Sequence, residues 1–398
     1  MNHKLYMAAL ALLISGCVKD DPVFPKSAFD CAIGVQNTHP DSLRFTNFLE
    51  EKVQEGLPGI SMLIETPDGI WSGAAGLADI PNNITLNSCN KHKLGSSTKV
   101  FTATLIFQLY EEGRLRFDDA ITKFLPDSLI NKIANYKEVT VKNLLTHTSG
   151  IPDYLDIAYS LKYYDDPTRV WTDKQELELV YKEPAVFAPG TKVDYSNSNF
   201  LLLGMIAKQL TGQTGTALYT SKIFDPLGMS NSFFNEDGTI PDDLTRGYFD
   251  ENGKGNFIDI TQRSFAAHSM AGGAVSTVAE LHRFVKTFWN GNSLVSEETK
   301  NEITTLDEIP FLHPDKFNYG EENKVNKIQG IGLCWFQMDT DYGIAYGHDG
   351  GYDGRRSVMR YFPDSQSYIV YFVNGSGESI RPILRELRRN EMIELLFE

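Results

Sequence analysis

Cysteine is scarce in this 398-residue chain, with four in all, one of them Cys17 in an N-terminal segment of its own kind. The other three, Cys31, Cys89 and Cys334, are too few to staple a small scaffold and match no zinc-binding spacing. Cys31 and Cys89 sit in polar, loop-like surroundings and are candidates to pair outside the cytoplasm. Cys334 lies in the apolar run 330–336, which reads as a buried strand, and is expected to be a core thiol. Positive charge is also short: 37 Lys and Arg face 52 Asp and Glu, for a net charge of −15 and a pI near 5.0. No basic cluster suits a phosphate backbone, so nucleic acid is excluded as a partner. Past the first seventeen residues no run is long and apolar enough to span a bilayer. The patterns G-x-S-x-G, H-E-x-x-H and the P-loop are missing, which leaves α/β-hydrolase, zincin and NTPase chemistry without support. Repeats and low-complexity segments are absent, and no metal or cofactor is implied.

The first residues have their own logic. Lys4 gives a positive start, Leu5 to Ile14 an apolar stretch too short to cross a membrane, and Ile14-Ser15-Gly16-Cys17 a small-residue end. This resembles a bacterial lipoprotein signal, with residues 1–16 removed and Cys17 carrying lipid. Residues 17–38 then read as a tether. The expectation is an exported protein, lipid-anchored to the cell envelope at the outer membrane or cell surface.

The remaining chain divides by pattern. Leu43, Phe45, Phe48, Leu49 and Val53 mark a helix ending at Gly56, and 59–65 and 70–77 read as strands joined by a turn at Thr66-Pro67-Asp68-Gly69. From 117 to 265 the pattern is short helices and loops with no sustained strand alternation. Thr140 and Thr172 or Asp173 are candidate caps, and a helix from Asn197 stops at Gly212. Thr277 with Glu280 makes a capping box for a helix ending at Gly291. Strands return at 331–338, 343–347, 357–362 and 368–373, and a last helix covers 379–396. The prediction is an α+β fold: an antiparallel sheet flanked by helices, built from residues 39–116 and 266–398, with an all-helical domain inserted at 117–265.

Chemistry concentrates first at Leu94-Gly95-Ser96-Ser97-Thr98-Lys99, followed by an apolar segment that reads as a helix buried nearly all round. A serine at such a helix start meets unpaired N–H groups and the positive end of the dipole. Lys99 lies about one turn on, so its amine can reach the Ser96 hydroxyl, and burial favours the neutral amine that can take the serine's proton. A second S-x-x-K, Ser88 to Lys91, lies in a turn-forming run with no apolar helix behind it and reads as a solvated loop. Tyr195 alone among 18 tyrosines has Asn two residues on. A phenol beside a cationic Lys99 is expected to have a lowered pKa and to relay protons, while Asn197 offers both a donor and an acceptor to a substrate amide. In Tyr346-Gly347-His348-Asp349-Gly350-Gly351, His348 is the only one of eight histidines followed by x-Gly. Gly350 and Gly351 allow close approach of a substrate, and the Gly351 and Ser96 N–H groups are candidates for an oxyanion hole.

Together with Leu144-Leu145-Thr146-His147-Thr148-Ser149-Gly150-Ile151, these motifs resemble the class C β-lactamase and penicillin-binding-protein family, which includes D-alanyl-D-alanine carboxypeptidases. The resemblance covers about residues 40–375. It implies a two-domain fold with the site between the domains, and acyl-enzyme chemistry on an ester or amide of a small-molecule or peptide substrate. Ser96 would be the nucleophile, Lys99, Tyr195 and His348 its catalytic partners, and Asn197, Gly350 and Gly351 the substrate-binding positions. His147 is expected to be structural. The family's third motif often begins with Lys, here His348, and its middle position is Asp349 in place of a hydroxyl residue. That carboxylate would repel the carboxylate of a β-lactam or peptide terminus unless Arg355 or Arg356 offsets it. A dedicated β-lactamase and an inactive surface binding module of the same fold are the alternatives.

Overall fold

The computed structural model describes residues 36–155, 162–163, 165–263, 269–314 and 326–398. The signal segment, most of the tether, Cys17 and Cys31 lie outside that set. Cys89 is disulfide-bonded, and Cys334 is a free, buried thiol.

Helix α1 (Ser42–Gln54) turns Phe45 and Leu49 inward. Strands β1 (Gly59–Thr66) and β2 (Gly69–Asp79) form a hairpin closed at the Thr66–Gly69 turn, followed by the short β3 (Ile84–Thr85) and β4 (His92–Lys93). A 3₁₀ turn at Gly95–Thr98 then feeds α2 (Lys99–Glu111). The middle of the chain is helical, its longest piece Asn197–Thr211 ending on Gly212 with φ +70°. Thr140 and Thr172 cap their helices through full capping boxes, with Asn143 and Gln175 as the reciprocal partners. Three strands of two or three residues also appear there, β5 (Phe233–Phe234), β6 (Tyr248–Asp250) and β7 (Phe257–Asp259). They are too short for a period-2 pattern to announce them. After β8 (Ala274–Ser276) comes the helix Val278–Asn290, capped by Thr277, whose side chain accepts from the Glu280 N–H. The Glu280 carboxylate itself turns to Asn231 and Ser232.

The chain closes with β9 (Asn326–Ile331), β10 (Phe336–Thr340), β11 (Gly343–Tyr352), β12 (Arg355–Phe362), β13 (Ser367–Val373) and β14 (Gly375–Gly377). Eight strands make one antiparallel sheet in the order β3-β2-β1-β13-β12-β11-β10-β9. β1, from the N-terminal part, pairs with β13 from the C-terminal part. Alternation sorts the two faces. Ile60, Met62, Ile64, Ile369, Tyr371 and Val373 pack with α1 and the C-terminal helices, while Leu63, Val370 and Phe372 join the core that holds α2 and the helical layer.

Ten of the thirteen residues of α2 are buried, Lys99 among them. The Phe101 ring packs edge-on against Tyr219, Phe224 and Phe284. Truncating a core aromatic of this kind costs about 3–5 kcal/mol, so packing fixes this helix more firmly than any one hydrogen bond.

Two elements read as continuous are broken. The strand expected over 331–338 is β9 and β10 separated by a tight turn. Cys334 takes φ +77° there, its N–H bonding to Leu145 O and that of Leu333 to Ile303 O. The backbone thus pairs with the helical layer instead of extending the sheet, although Cys334 is buried as its apolar neighbours imply. The last helix runs as Arg381–Glu386 and Met392–Phe397, with a π-helical turn at 387–391 between them. Among the described residues no helix is long and apolar enough to cross a membrane.

Candidate active site

Ser96 stands half-buried in the 3₁₀ turn, opening on a cleft of about 570 Å³. The turn is pinned from three sides. Leu94 N–H donates to Ala274 O at 2.8 Å, and the Ser357 hydroxyl of β12 donates to Leu94 O at 2.6 Å and meets the Ser97 hydroxyl at 2.7 Å. β11 is pressed against the same turn, where a Cβ on Gly350 would lie 1.9 Å from Leu94 O and 2.7 Å from Ser97 N. Gly350 lines the cleft, but what requires its glycine is this chain's own backbone. Gly351, the next residue, is exposed on the cleft wall.

The Lys99 amine reaches three oxygens: Asn197 Oδ1 at 2.7 Å, Ala271 O at 2.7 Å and Ser96 Oγ at 3.1 Å. Burial lowers its pKa to about 7, against the raising influence of Asp153. A neutral amine has two N–H donors and one lone pair. Asn197 and Ala271 take the two donors at the shorter distances, which leaves the lone pair facing the Ser96 hydroxyl.

Tyr195 lies across from this pair, its ring 5.1 Å from the Lys99 nitrogen. Its phenol was expected to be acidified by the lysine. Instead burial pushes its pKa well above the usual tyrosine value, and the pull of Ser96 is the weaker influence. Enclosure outweighs any acidifying pull from a lysine whose own pKa has fallen to about 7, so Tyr195 stays a protonated phenol.

The two polar motifs, 144–151 and 195–199, form one stitched unit. His147 Nδ1 accepts from Ser196 N–H at 3.2 Å and from the Asn199 amide at 3.1 Å, and its ring stacks on Tyr195 at 4.3 Å. It is a buried scaffold histidine with φ +56°. Ser149 donates to Asn199 at 2.6 Å and Ser198 to Pro152 O at 2.6 Å. Asp153, which no sequence motif singled out, accepts from the Asn197 backbone N–H at 3.2 Å and from its side-chain amide at 2.9 Å. Its only signal was its place two residues beyond the first of these motifs.

The third motif lies within β11, which continues past Gly347 after its pairing with β10 ends. His348 Nδ1 donates to Asp349 O at 2.7 Å, leaving Nε2 unprotonated and buried with no hydrogen-bond partner. Burial, helped by the nearby Lys99, lowers its pKa to about 3, so the imidazole is neutral. Asp349 is offset, but its ion pairs are not with Arg355 or Arg356. Arg355 is buried against Gly247, and Arg356 donates to the carbonyls of Tyr352 and Arg355 at 3.0 and 2.8 Å. The ion pairs come from Arg360, two strand positions beyond Val358, at 2.5 Å, and from Arg388 in the π-helical turn. Burial alone would raise the Asp349 pKa; the two guanidinium groups hold it well below the ordinary value of 3.8. Among the described residues no group of three or more His, Cys, Asp or Glu stands together to hold a metal ion.

A serine whose hydroxyl meets a buried amine, at the seam of an antiparallel sheet and a helical layer, defines a class: serine hydrolases with the β-lactamase fold. The Beta-lactamase family model matches residues 45–391, and the chain belongs to that family. It is 26% identical over 361 residues to Protein flp of Staphylococcus aureus (strain COL), covering 88% of this chain and 66% of that protein. It is 27% identical over 244 residues to a putative D-alanyl-D-alanine carboxypeptidase of Escherichia coli (strain K12), covering 58% and 55%. Both matches span less than two thirds of the curated relative. Among solved structures, a D-stereospecific amidohydrolase from Streptomyces sp. superposes with a TM-score of 0.74 at 25% identity, over 89% of this chain and 99% of that one.

Proposed function

We propose that the protein hydrolyses a small amide or ester, of the D-amino-acid or D-alanyl peptide kind, through an acyl-enzyme on Ser96. The observation that carries this is the arrangement at Lys99, whose two donors are engaged and whose lone pair is left for the serine. Ser96 Oγ bonds to the substrate carbonyl carbon as its proton passes to Lys99, and the carbonyl electron pair becomes an oxyanion facing the Ser96 and Gly351 N–H groups. Collapse breaks the bond to the leaving amine or alkoxide, which receives the proton from Lys99 through the Tyr195 phenol. Water then attacks the ester, with the same groups returning the proton to Ser96 as the acid leaves. No cofactor takes part. His348, neutral, serves as an acceptor beside the phenol, and the free N–H of Asn197 is available to a substrate carbonyl. The D-configured substrate rests on the relatives, a D-stereospecific amidohydrolase and a putative D-alanyl-D-alanine carboxypeptidase.

Intact-mass spectrometry after exposure to penicillin, a D-amino-acid amide and an activated ester tests the reading. Acylation of the wild type, lost in Ser96→Ala together with turnover, is the expected result. Full turnover by Ser96→Ala overturns it, and a wild type that never acylates favours the binding module. Rapid release of a penicilloyl adduct marks a dedicated β-lactamase. The offset of Asp349 by Arg360 and Arg388 removes the electrostatic objection to such substrates. We also propose, from the motif at 14–17, that the protein is exported and anchored through lipid on Cys17.

A further inference from the structure

We propose that Asp153 is a positioning residue that sets which end of the Asn197 amide faces Lys99, and thereby where the lysine lone pair points. This rests on the reading of Ser96 and Lys99 above. An Asn side chain has a donor end and an acceptor end of nearly equal shape, and only its partners decide between them. Here Asp153 Oδ2 accepts from Asn197 Nδ2 at 2.9 Å, and Asp153 Oδ1 accepts from the backbone N–H groups of Asn197 at 3.2 Å and Leu155 at 3.1 Å. A carboxylate has no donor to offer, so it admits only the amide's N–H end. The Asn197 oxygen is then forced toward Lys99, where it takes one amine hydrogen at 2.7 Å. With the amide reversed, its N–H would point at the lysine nitrogen and draw the lone pair away from Ser96.

The same carboxylate acts on the charge of Lys99. The groups facing that amine are Asp153 and Cys334, which favour the ammonium, and His147 and His348, with which it repels if both are charged; the Tyr195 phenol and the Phe200 ring complete its surroundings. Burial raises the Asp153 pKa above 3.8, opposed by the hydrogen bonds from Leu155 and Asn197 and by Lys99 itself; burial holds the Cys334 thiol protonated, so Asp153 is the acid among these groups whose charge bears on the amine. Removing it lets Lys99 lose its proton at lower pH, while releasing the Asn197 amide.

The test is the rate at which a fluorophosphonate probe labels Ser96, as a function of pH, with thermal melting as the check on folding. Asp153→Asn is expected to slow labelling about tenfold or more at pH 8, as misplaced catalytic groups do, and to move the acid limb of the profile to lower pH. Asn197→Asp, which sets two carboxylates face to face, is expected to lose labelling as well. The double variant Asp153→Asn/Asn197→Asp exchanges donor and acceptor and is expected to recover most of what Asn197→Asp alone loses. An unshifted acid limb in Asp153→Asn, or losses that multiply in the double variant without recovery, overturns the proposal. If Asp153→Asn does not fold, the comparison of Asn197→Asp with the double variant decides alone, and a double variant that also fails to fold counts against an exchangeable pair. A wild type that is not labelled at all indicts the Ser96 reading instead.

Discussion

At the scale of single residues, the proposed mechanism turns on the protonation of Lys99. Burial lowers the amine's pKa to about 7, and the acylation step proposed above needs it neutral. The rate of acyl-enzyme formation is therefore expected to rise with pH through about 7 and to level off above it, while Tyr195, its pKa pushed up by burial, stays protonated. Lys99→Arg keeps a cation that cannot deprotonate and is expected to lower the rate at least a thousandfold at every pH. A stopped-flow pH profile with an activated ester checks both, and a flat profile across pH 6–8 would remove Lys99 as the base. Part of this was legible beforehand: the Lys99 amine reaches the Ser96 hydroxyl, and the Tyr195 ring lies 5.1 Å from that amine. The direction of the Tyr195 shift was not, because it depends on how deeply the ring is enclosed, and enclosure is a property of distant chain segments.

At the scale of elements, the π-helical turn at 387–391 has a specific consequence. It interrupts a helix that would otherwise run straight, and it carries Arg388 to Asp349 on β11 beside Arg360. The sign of the linkage is that of a depressed acid. Asp349 stabilises the fold above its ordinary pKa of 3.8, and that contribution is lost as pH falls through its lowered folded value. Asp349→Asn is expected to cost about 1–3 kcal/mol at pH 7, reduced from the fully buried case because these side chains are partly exposed. The difference should hold above about pH 4, shrink as pH falls below the ordinary value of 3.8, and vanish only below the lowered folded value. Urea melts in a series from pH 7 downward measure it, and a deficit that does not shrink as pH falls below 3.8 would show that charge pairing is not the cause. Residue spacing put the counter-charge on Arg355 or Arg356. The pleat turns Arg355 to the opposite face from Asp349, and Arg356, on the same face as Arg360, spends its guanidinium on the carbonyls of Tyr352 and Arg355, so the ion pairs fall to Arg360 and to Arg388 of the C-terminal helix.

At the scale of the whole molecule, the cleft exists because one sheet is assembled from both parts of the chain, with β1 beside β13. Its two faces serve two cores, one with α1 and the C-terminal helices, the other with α2 and the helical layer. Ser96 stands where β11, the 3₁₀ turn and the helical layer converge, so its environment belongs to no single segment. The proposed attachment to a membrane is likewise to be tested on the intact chain. Cys17→Ser is expected to move the protein from the membrane to the soluble fraction of cells expressing it, followed by immunoblot. Unchanged membrane partition would refute anchoring through Cys17.

The sequence by itself pointed to the fold class, to Ser96 and Lys99 as neighbours, and to one sheet drawing strands from both parts of the chain, because hydrophobic period, helix starts and short motifs are local and survive in one dimension. It also marked Cys334 as a core thiol but not the turn that breaks its strand, since the competing bonds come from Leu145 and Ile303 far away in the chain. Only the tertiary structure decided which oxygens take the Lys99 hydrogens, which arginines meet Asp349, and that Asp153 holds Asn197. Those outcomes rest on distances and burial between groups remote in sequence, and a linear chain carries no record of either until it packs.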